Sequence, residues 1–182
     1  REYITVLSNQ AGTVLTIADG RSSSSLTECL KSIPIQSLSK ARSLSMDMSP
    51  AYIRAATEFF GIRASRMIRF DHFHVARSLA RSVDQVRKSD MKHLPRLERL
   101  HVHRNRYLWL RNGAKLDVSS KDEILSHAPL MESTIVAWTL KEKARDIWKG
   151  AEPKTRRSWK QWIKLVMDTR IKPLVAVAEM IR

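Results

Sequence analysis

A strand–helix–strand pattern between Ser43 and Val75 constrains the fold of this chain more than any other stretch. Its two flanks are short apolar runs that predict strands, and each run carries one aspartate, Asp47 or Asp71. The residues between the flanks have the period of an amphipathic helix. The pattern therefore predicts an α/β (α+β) fold organised around this unit.

The bounds of the central helix follow from its end signals. Ser49 is a favourable N-cap, Pro50 suits the first helical position, and Gly61 lies where a helix stop is expected. We therefore expect a helix from Pro50 to Phe60. Its predicted buried face consists of Ile53, Ala56 and Phe60.

The two aspartates form the candidate active site. If the two strands are parallel, a right-handed crossover places Asp47 and Asp71 at the carboxyl ends of strands, where open α/β sheets keep their chemistry. The structural alternative is that Asp47 only caps the turn before Pro50 and that Asp71 only ends a strand.

Charge is the strongest compositional signal. The chain has 33 Lys and Arg against 18 Asp and Glu, which gives a net charge of +15 and a pI near 10.5. Such a composition favours a polyanionic partner, a nucleic acid above all, although proteins associated with ribosomes or membrane surfaces share it.

Other compositional features bear on location. A single cysteine, Cys29, excludes an internal disulfide framework and a cysteine-rich zinc site, and it suits a reducing compartment. No apolar run approaches the roughly 20 residues of a membrane span, and the first residues do not resemble a signal peptide. We therefore expect a cytoplasmic protein without a membrane partner.

The residues before Ser43 predict two further features. A β-hairpin is expected from runs 2–7 and 13–17, which are rich in β-branched residues. A short helix should follow, capped by the serines of 22–25 and ended before Pro34. The serine run could instead be a linker.

After Val75 the strand signals end and helical spacing dominates. Two of these helices carry basic faces that are candidates for contact with DNA phosphates. Their candidate residues, with His74, are Arg77, Arg81, Arg87, Lys88, Arg156, Arg157 and Lys160.

The histidines at 93, 101 and 103 are interpreted as surface residues, and a capping box at 120–123 should start a short helix. The tryptophans of the helix predicted after Leu130, Trp138 and Trp148, are assigned to the core rather than to base stacking.

Two motifs at the right separation resemble the ISL-three family of bacterial insertion-sequence transposases. They read Ser-Met-Asp-Met-Ser-Pro-Ala-Tyr-Ile at 45–53 and Phe-Asp-His-Phe-His-Val at 70–75. The hairpin, the segment 106–112 and the segment 140–148 also look like family features in the right order. The resemblance spans nearly the whole chain.

This resemblance implies an RNase H-like fold whose acidic triad binds two divalent metals, Mg²⁺ or Mn²⁺, to cut and rejoin DNA. Asp47 matches the second aspartate of the triad. Asp71 and His74 match a further motif that supports the site. The first triad aspartate would lie before Arg1, and no Glu-Gly-x-Asn segment supplies the glutamate.

The incomplete triad shapes the functional prediction. Glu142 and Glu179 could replace the glutamate, but both lie in the part that resembles the family's helical insertion. The strand that carries the first aspartate would lie between the hairpin and the strand ending at Asp47, so two strand edges should remain unpaired.

We therefore expect a fragment of a DDE transposase that does not cleave DNA alone. Residues 1–76 would form a partial RNase H-like core with a mixed sheet, and residues 77–182 an all-helical insertion region. The alternative is a non-catalytic basic module that binds DNA, a full-length transposase or itself. A small phosphate-handling enzyme is a third alternative, but the chain lacks the glycine-rich loop that such an enzyme requires.

Overall fold

The computed structural model describes residues 2–150 and 152–182, without the side chains of 152–154. The chain divides into two compact units, Arg1–His74 and Val75–Arg182. The first contains both strands and helices and the second is helical. The α+β class predicted from the sequence is confirmed.

The first unit begins with the predicted hairpin. Strand β1 (Ile4–Ser8) pairs antiparallel with β2 (Val14–Asp19), with a register shift at Leu7 and Ser8. Gly12 has a φ of 82° in the connecting turn, a backbone conformation that glycine adopts without steric cost. The hairpin is a separate two-stranded sheet.

The inner face of the hairpin packs against the helix that follows it. Helix α1 (Ser23–Lys31) begins with the predicted serine cap, because Ser22 and Ser25 form a reciprocal capping box. A short α2 (Ile35–Lys40) follows Pro34. The unit's core contains Leu26, Leu30 and Leu38 together with residues of the next helix.

The central helix has the predicted bounds. Helix α3 (Pro50–Phe60) begins at Pro50 and ends before Gly61, whose φ is 56°. Ala55 and Ala56 are fully buried, whereas the predicted Ile53 and Phe60 are half-buried. Ser49 takes the N-cap position, but its side chain makes no capping hydrogen bond.

Two short strands flank α3. They are β3 (Leu44–Met46) and β4 (Ile68–Phe70), and they pair in parallel as a second two-stranded sheet. The second flank is less extended than predicted: a 3₁₀ turn (Gly61–Arg63) and α4 (Ala64–Met67) precede β4. Helix α5 (His72–Asp90) begins directly after it. Local helical hydrogen bonding therefore replaces the first part of the strand that was predicted to end on Asp71.

In the described residues the strands form an antiparallel and a parallel pair rather than one continuous mixed sheet. The sequence predicts unpaired strand edges at this point. Each of the four strands has one partner and one edge outside the strand ladder.

The second unit contains the remainder of α5 and six further α-helices in the part that the structure describes. These are α6 (Arg96–Arg104), α7 (Arg106–Leu110), α8 (Val118–Ser126), α9 (Glu132–Ile147), α10 (Glu152–Thr169) and α11 (Lys172–Ile181). Two 3₁₀ turns, Met91–His93 and Gly113–Lys115, connect them. Three side-chain bonds tie distant helices together: Asp90 accepts from Thr134, Ser82 donates to the Pro173 carbonyl, and the Trp162 indole donates to the Leu140 carbonyl.

Two predictions for this unit can be compared directly. The expected capping box at 120–123 is wrong, because the helix starts earlier and Asp117 caps it by accepting from the Ser120 N–H at 2.7 Å. Hydrogen bonds from the side chain and the backbone N–H of Ser120 lower the pKa of the Asp117 carboxyl. Trp138 and Trp148, which were assigned to the core, are half-buried, whereas Trp109 and Trp162 are almost fully buried.

Candidate functional site

The parallel pair β3–β4 brings Asp47 and Asp71 to the same end of one sheet. Met46 is paired with Phe70, and each of these two residues ends its strand. Asp47 and Asp71 are the residues that directly follow. The Asp71 N–H also donates to the Met46 carbonyl at 2.9 Å, which extends the pairing by one step. The geometry on which the candidate active site depended is therefore present.

Each aspartate uses one oxygen to hold the backbone that follows it. Asp47 Oδ1 accepts from the Ser49 N–H at 2.9 Å, and Asp71 Oδ1 accepts from the Phe73 N–H at 2.7 Å. The turn-capping role proposed as a structural alternative is thus real for both residues. It leaves Asp47 Oδ2 without a hydrogen-bond donor among the described residues.

His74 lies beside Asp71, in the first turn of α5. Its Nδ1 lies 3.5 Å from Asp71 Oδ2, and both side chains are a little under half exposed. That nitrogen is shielded from solvent and makes no hydrogen bond in the structure. The distance allows an electrostatic interaction when the imidazole is protonated, but it is long for a hydrogen bond.

The described residues do not complete a metal centre. Within 2–150 and 152–182, no group of three or more His, Cys, Asp or Glu side chains is arranged to hold a metal ion. Two-metal sites need several oxygen ligands that converge on ions about 3.5–4 Å apart. Asp47 and Asp71 could contribute to such a site, but by themselves they do not fit one.

The glutamate candidates are far less suited to a metal than the sequence suggested. Glu142 on α9 accepts from the Gly113 N–H at 3.0 Å and from Arg145 at 2.6 Å, and it pairs with Lys141 at 2.7 Å. Burial lowers the pKa of Lys141, and the adjacent carboxylate opposes this effect. Glu142 is therefore a structural residue, whereas Glu179 is exposed on α11.

The basic face predicted on α5 is smaller than expected. Arg77, Arg81 and Lys88 are exposed, but Arg87 is only 1% exposed, so its assignment to this face is wrong. Its guanidinium turns inward to Asp84, which also pairs with Lys88 at 2.7 Å. Helical spacing alone could not distinguish an inward arginine from an outward one.

A second basic surface lies on α10. Arg156, Arg157 and Lys160 are exposed, as is Lys164 one turn further on, and no acidic residue interrupts residues 155–167. We call these four residues the α10 strip. Trp162 and Val166 are fully buried, so the helix separates an apolar side from a cationic one.

The structure also reveals a polar cluster that the sequence did not predict. His101 Nε2 lies 2.9 Å from Glu123 Oε1, which also accepts from Asn105 at 2.7 Å, and the His127 ring stacks on the His101 ring at 5.6 Å. Glu123 follows His101 by 22 residues, so only the packing of α6 on α8 brings them together. The prediction that His93, His101 and His103 lie on the surface is confirmed.

Strand-end carboxylates and exposed cationic helices are typical of proteins that process nucleic acids. The model of the ISL-three family of DDE transposases, described as Transposase, matches residues 1–182. The chain therefore belongs to this transposase family. No curated protein and no solved structure matched the chain. Among the described residues, no helix is both long and apolar enough to cross a membrane.

Proposed function

We propose that this chain is a portion of a DDE transposase that moves an insertion sequence by acting on DNA. In this proposal the first unit is part of an RNase H-like catalytic core and the second is the helical insertion region. The observation that carries the proposal is the parallel β3–β4 pair, which aligns Asp47 and Asp71 at one sheet end within a family whose chemistry uses strand-end carboxylates.

Asp47 is the residue we assign to the triad. It directly follows β3, and one of its oxygens has no protein donor among the described residues. The neighbouring Asp71 accepts from the Phe73 N–H with one oxygen, and its other oxygen lies 3.5 Å from His74 Nδ1. We therefore assign Asp71 and His74 a supporting role at the same edge.

We also infer that the chain does not cleave DNA alone. Mg²⁺ and Mn²⁺ prefer several carboxylate oxygens, and the described part of the chain offers no cluster of three candidate ligands. Glu142 cannot fill the gap without giving up its bonds to Gly113 and Arg145. The remaining triad carboxylates must come from outside the residues described.

DNA contact is assigned to the exposed cations rather than to base readout. The α10 strip and the exposed Arg77 and Arg81 of α5 present positive charge to solvent. Lys and Arg side chains of this kind contact phosphates and position a protein on DNA without specifying sequence. A non-catalytic DNA-binding module remains the second candidate function, supported by the net charge of +15.

One experiment tests the inference that the chain is inactive alone. The purified chain and Asp47→Ala are titrated with Mg²⁺ or Mn²⁺ by calorimetry, and the same samples are assayed for plasmid nicking. We expect neither metal-dependent nicking nor tight metal binding from either protein. Nicking by the wild-type chain that disappears in Asp47→Ala would show that this chain supplies its own complete site, and our inference of inactivity would then be wrong.

A further inference from the structure

The segment 92–115, which contains α6 and α7, carries a large share of the positive charge of the protein. It has seven Lys and Arg residues and one acidic residue, so it contributes +6 to the net charge of +15. All seven cations are exposed, and none forms an ion pair within residues 2–150 and 152–182. We call them the α6–α7 cations: Lys92, Arg96, Arg99, Arg104, Arg106, Arg111 and Lys115.

The distribution of charge on α6 opposes folding rather than supporting it. Arg96 and Arg99 lie three residues apart on one helix face, where like charges repel. Arg96 is also the first residue of the helix, beside the positive end of the helix dipole. Glu98, the acidic residue of the segment, is half-buried, and its Oε2 is shielded from solvent. A polyanion bound at this surface would offset the repulsion.

The two helices hold these cations on a firm support. Trp109 of α7 is only 2% exposed, and Lys141 of α9 donates to the Arg111 carbonyl at 2.7 Å, directly after α7. The segments 106–112 and 140–148, which both resemble family features, therefore meet in the structure. A surface whose backbone is already fixed loses less conformational freedom when it binds.

Tyr107 fixes the direction of one of the cations. The Arg106 guanidinium lies 4.6 Å from the centre of the Tyr107 ring, and its Nη2 donates to the Tyr107 hydroxyl at 2.6 Å. The tyrosine is 54% exposed, so the pair lies at the surface. A guanidinium has five N–H donors in a planar fork, and the donors that Tyr107 does not use can bind a phosphate.

We propose that the α6–α7 cations form a second DNA contact of this protein, which binds backbone phosphates independently of the α10 strip. This inference rests on the proposed action on DNA and adds a surface to it. Duplex DNA carries about one negative charge per 1.7 Å of its axis, so several of these side chains can pair with phosphates at once. Contacts of this kind position a protein on DNA without reading its sequence.

Fluorescence anisotropy of a labelled DNA duplex between about 50 and 200 mM NaCl tests the proposal. The test variant combines Arg96→Gln, Arg104→Gln and Arg106→Gln. It retains Arg99, whose Nη2 donates to the Leu94 carbonyl at 3.0 Å. The control combines three substitutions that remove the same charge at exposed residues outside both surfaces: Lys31→Gln, Lys121→Gln and Lys172→Gln.

Urea unfolding of the same proteins separates loss of DNA contact from loss of fold. The test variant should be at least as stable as the wild-type chain, because its substitutions relieve repulsion between like charges. A structural role for the three arginines would instead lower its stability.

We expect the test variant to bind DNA at least about tenfold more weakly at 0.1 M salt and to reduce the slope of log affinity against log salt by about 2–3. The control should reduce that slope by less than about 1. Equal slopes for the two variants would overturn the proposal, as expected of a solvated face or of a surface for an acidic protein.

A third variant distinguishes this proposal from the proposed function. If neutralising the α10 strip reduces the salt slope while the test variant behaves like its control, DNA binding stands and the second contact is wrong. A wild-type affinity that does not change with salt would overturn both.

Discussion

Removal of the Glu142 carboxylate should destabilise the protein strongly. Glu142 Oε2 accepts from the Gly113 N–H and from Arg145, while its other oxygen lies 2.7 Å from Lys141 Nζ. Lys141 is only 3% exposed; its ammonium also donates a 2.7 Å bond to the Arg111 carbonyl and lies 5.9 Å from the centre of the Trp138 ring. Glu142→Ala therefore removes the only acidic partner that the described structure gives this buried ammonium.

The magnitude follows from two losses. Removing one partner of a buried ion pair costs about 3–5 kcal/mol, and an unpaired buried N–H costs about 1–3 kcal/mol. Glu142 is 19% exposed, so water replaces part of what the carboxylate provides, and Lys141 keeps its carbonyl partner. We therefore expect Glu142→Ala to lower the free energy of unfolding by about 3 kcal/mol. Glu142→Gln keeps an acceptor oxygen and should cost about half as much.

Urea unfolding followed by tryptophan fluorescence measures this difference. Glu179→Ala is the matched control, because it makes the same substitution at an exposed position in a helix, and it should change stability by less than about 0.5 kcal/mol. A Glu142→Ala protein as stable as Glu179→Ala would refute the structural role. Loss of metal binding in Glu142→Ala without loss of stability would instead support a ligand role.

Two further predictions concern Asp84 and the α10 strip. Burial acts to raise the pKa of Asp84, but hydrogen bonds and charge from Lys88 and Arg87 lower it below the ordinary 3.8, so Asp84→Asn should cost about 2 kcal/mol at neutral pH. Since a lowered carboxyl pKa stabilises only above its ordinary value, chemical denaturation should show this difference shrinking as pH falls below about 4. Replacing Arg156, Arg157 and Lys160 by Gln should reduce the slope of log affinity for duplex DNA against log salt by about 2–3, measured by fluorescence anisotropy. A wild-type affinity that does not fall with salt would contradict the phosphate contacts.

The sequence predicted local structure well where the signals were local. Pro50 and Gly61 fixed both ends of α3, and the serines at 22–25 predicted the cap of α1. It failed at 120–123, because Asp117 offered a stronger cap three residues earlier. It also overextended the second flank, where only Ile68–Phe70 pairs as a strand and helical hydrogen bonds take over on both sides.

The candidate site was predictable in part. The Asp47 and Asp71 positions followed from the strand–helix–strand pattern, but their use as turn caps depended on backbone conformation. Arg87 was misplaced because a cation one position from the apolar stripe can turn either way, and Asp84 draws it inward. The contact between His101 and Glu123 had no signal in the sequence.

The sequence by itself determined the segments and the chemistry that they carry. Helix ends, strand alternation and a net charge of +15 are properties of neighbouring residues and of composition. Only the tertiary structure decided which side chains meet. The parallel pairing of β3 with β4 and the burial of Lys141 against Glu142 depend on residues that packing brings together. The same holds for the two faces of the β1–β2 hairpin, because alternation gives a strand two faces, and only packing selects which of them is covered: Thr5 and Ala18 are buried, whereas Val6 and Ile17 are exposed.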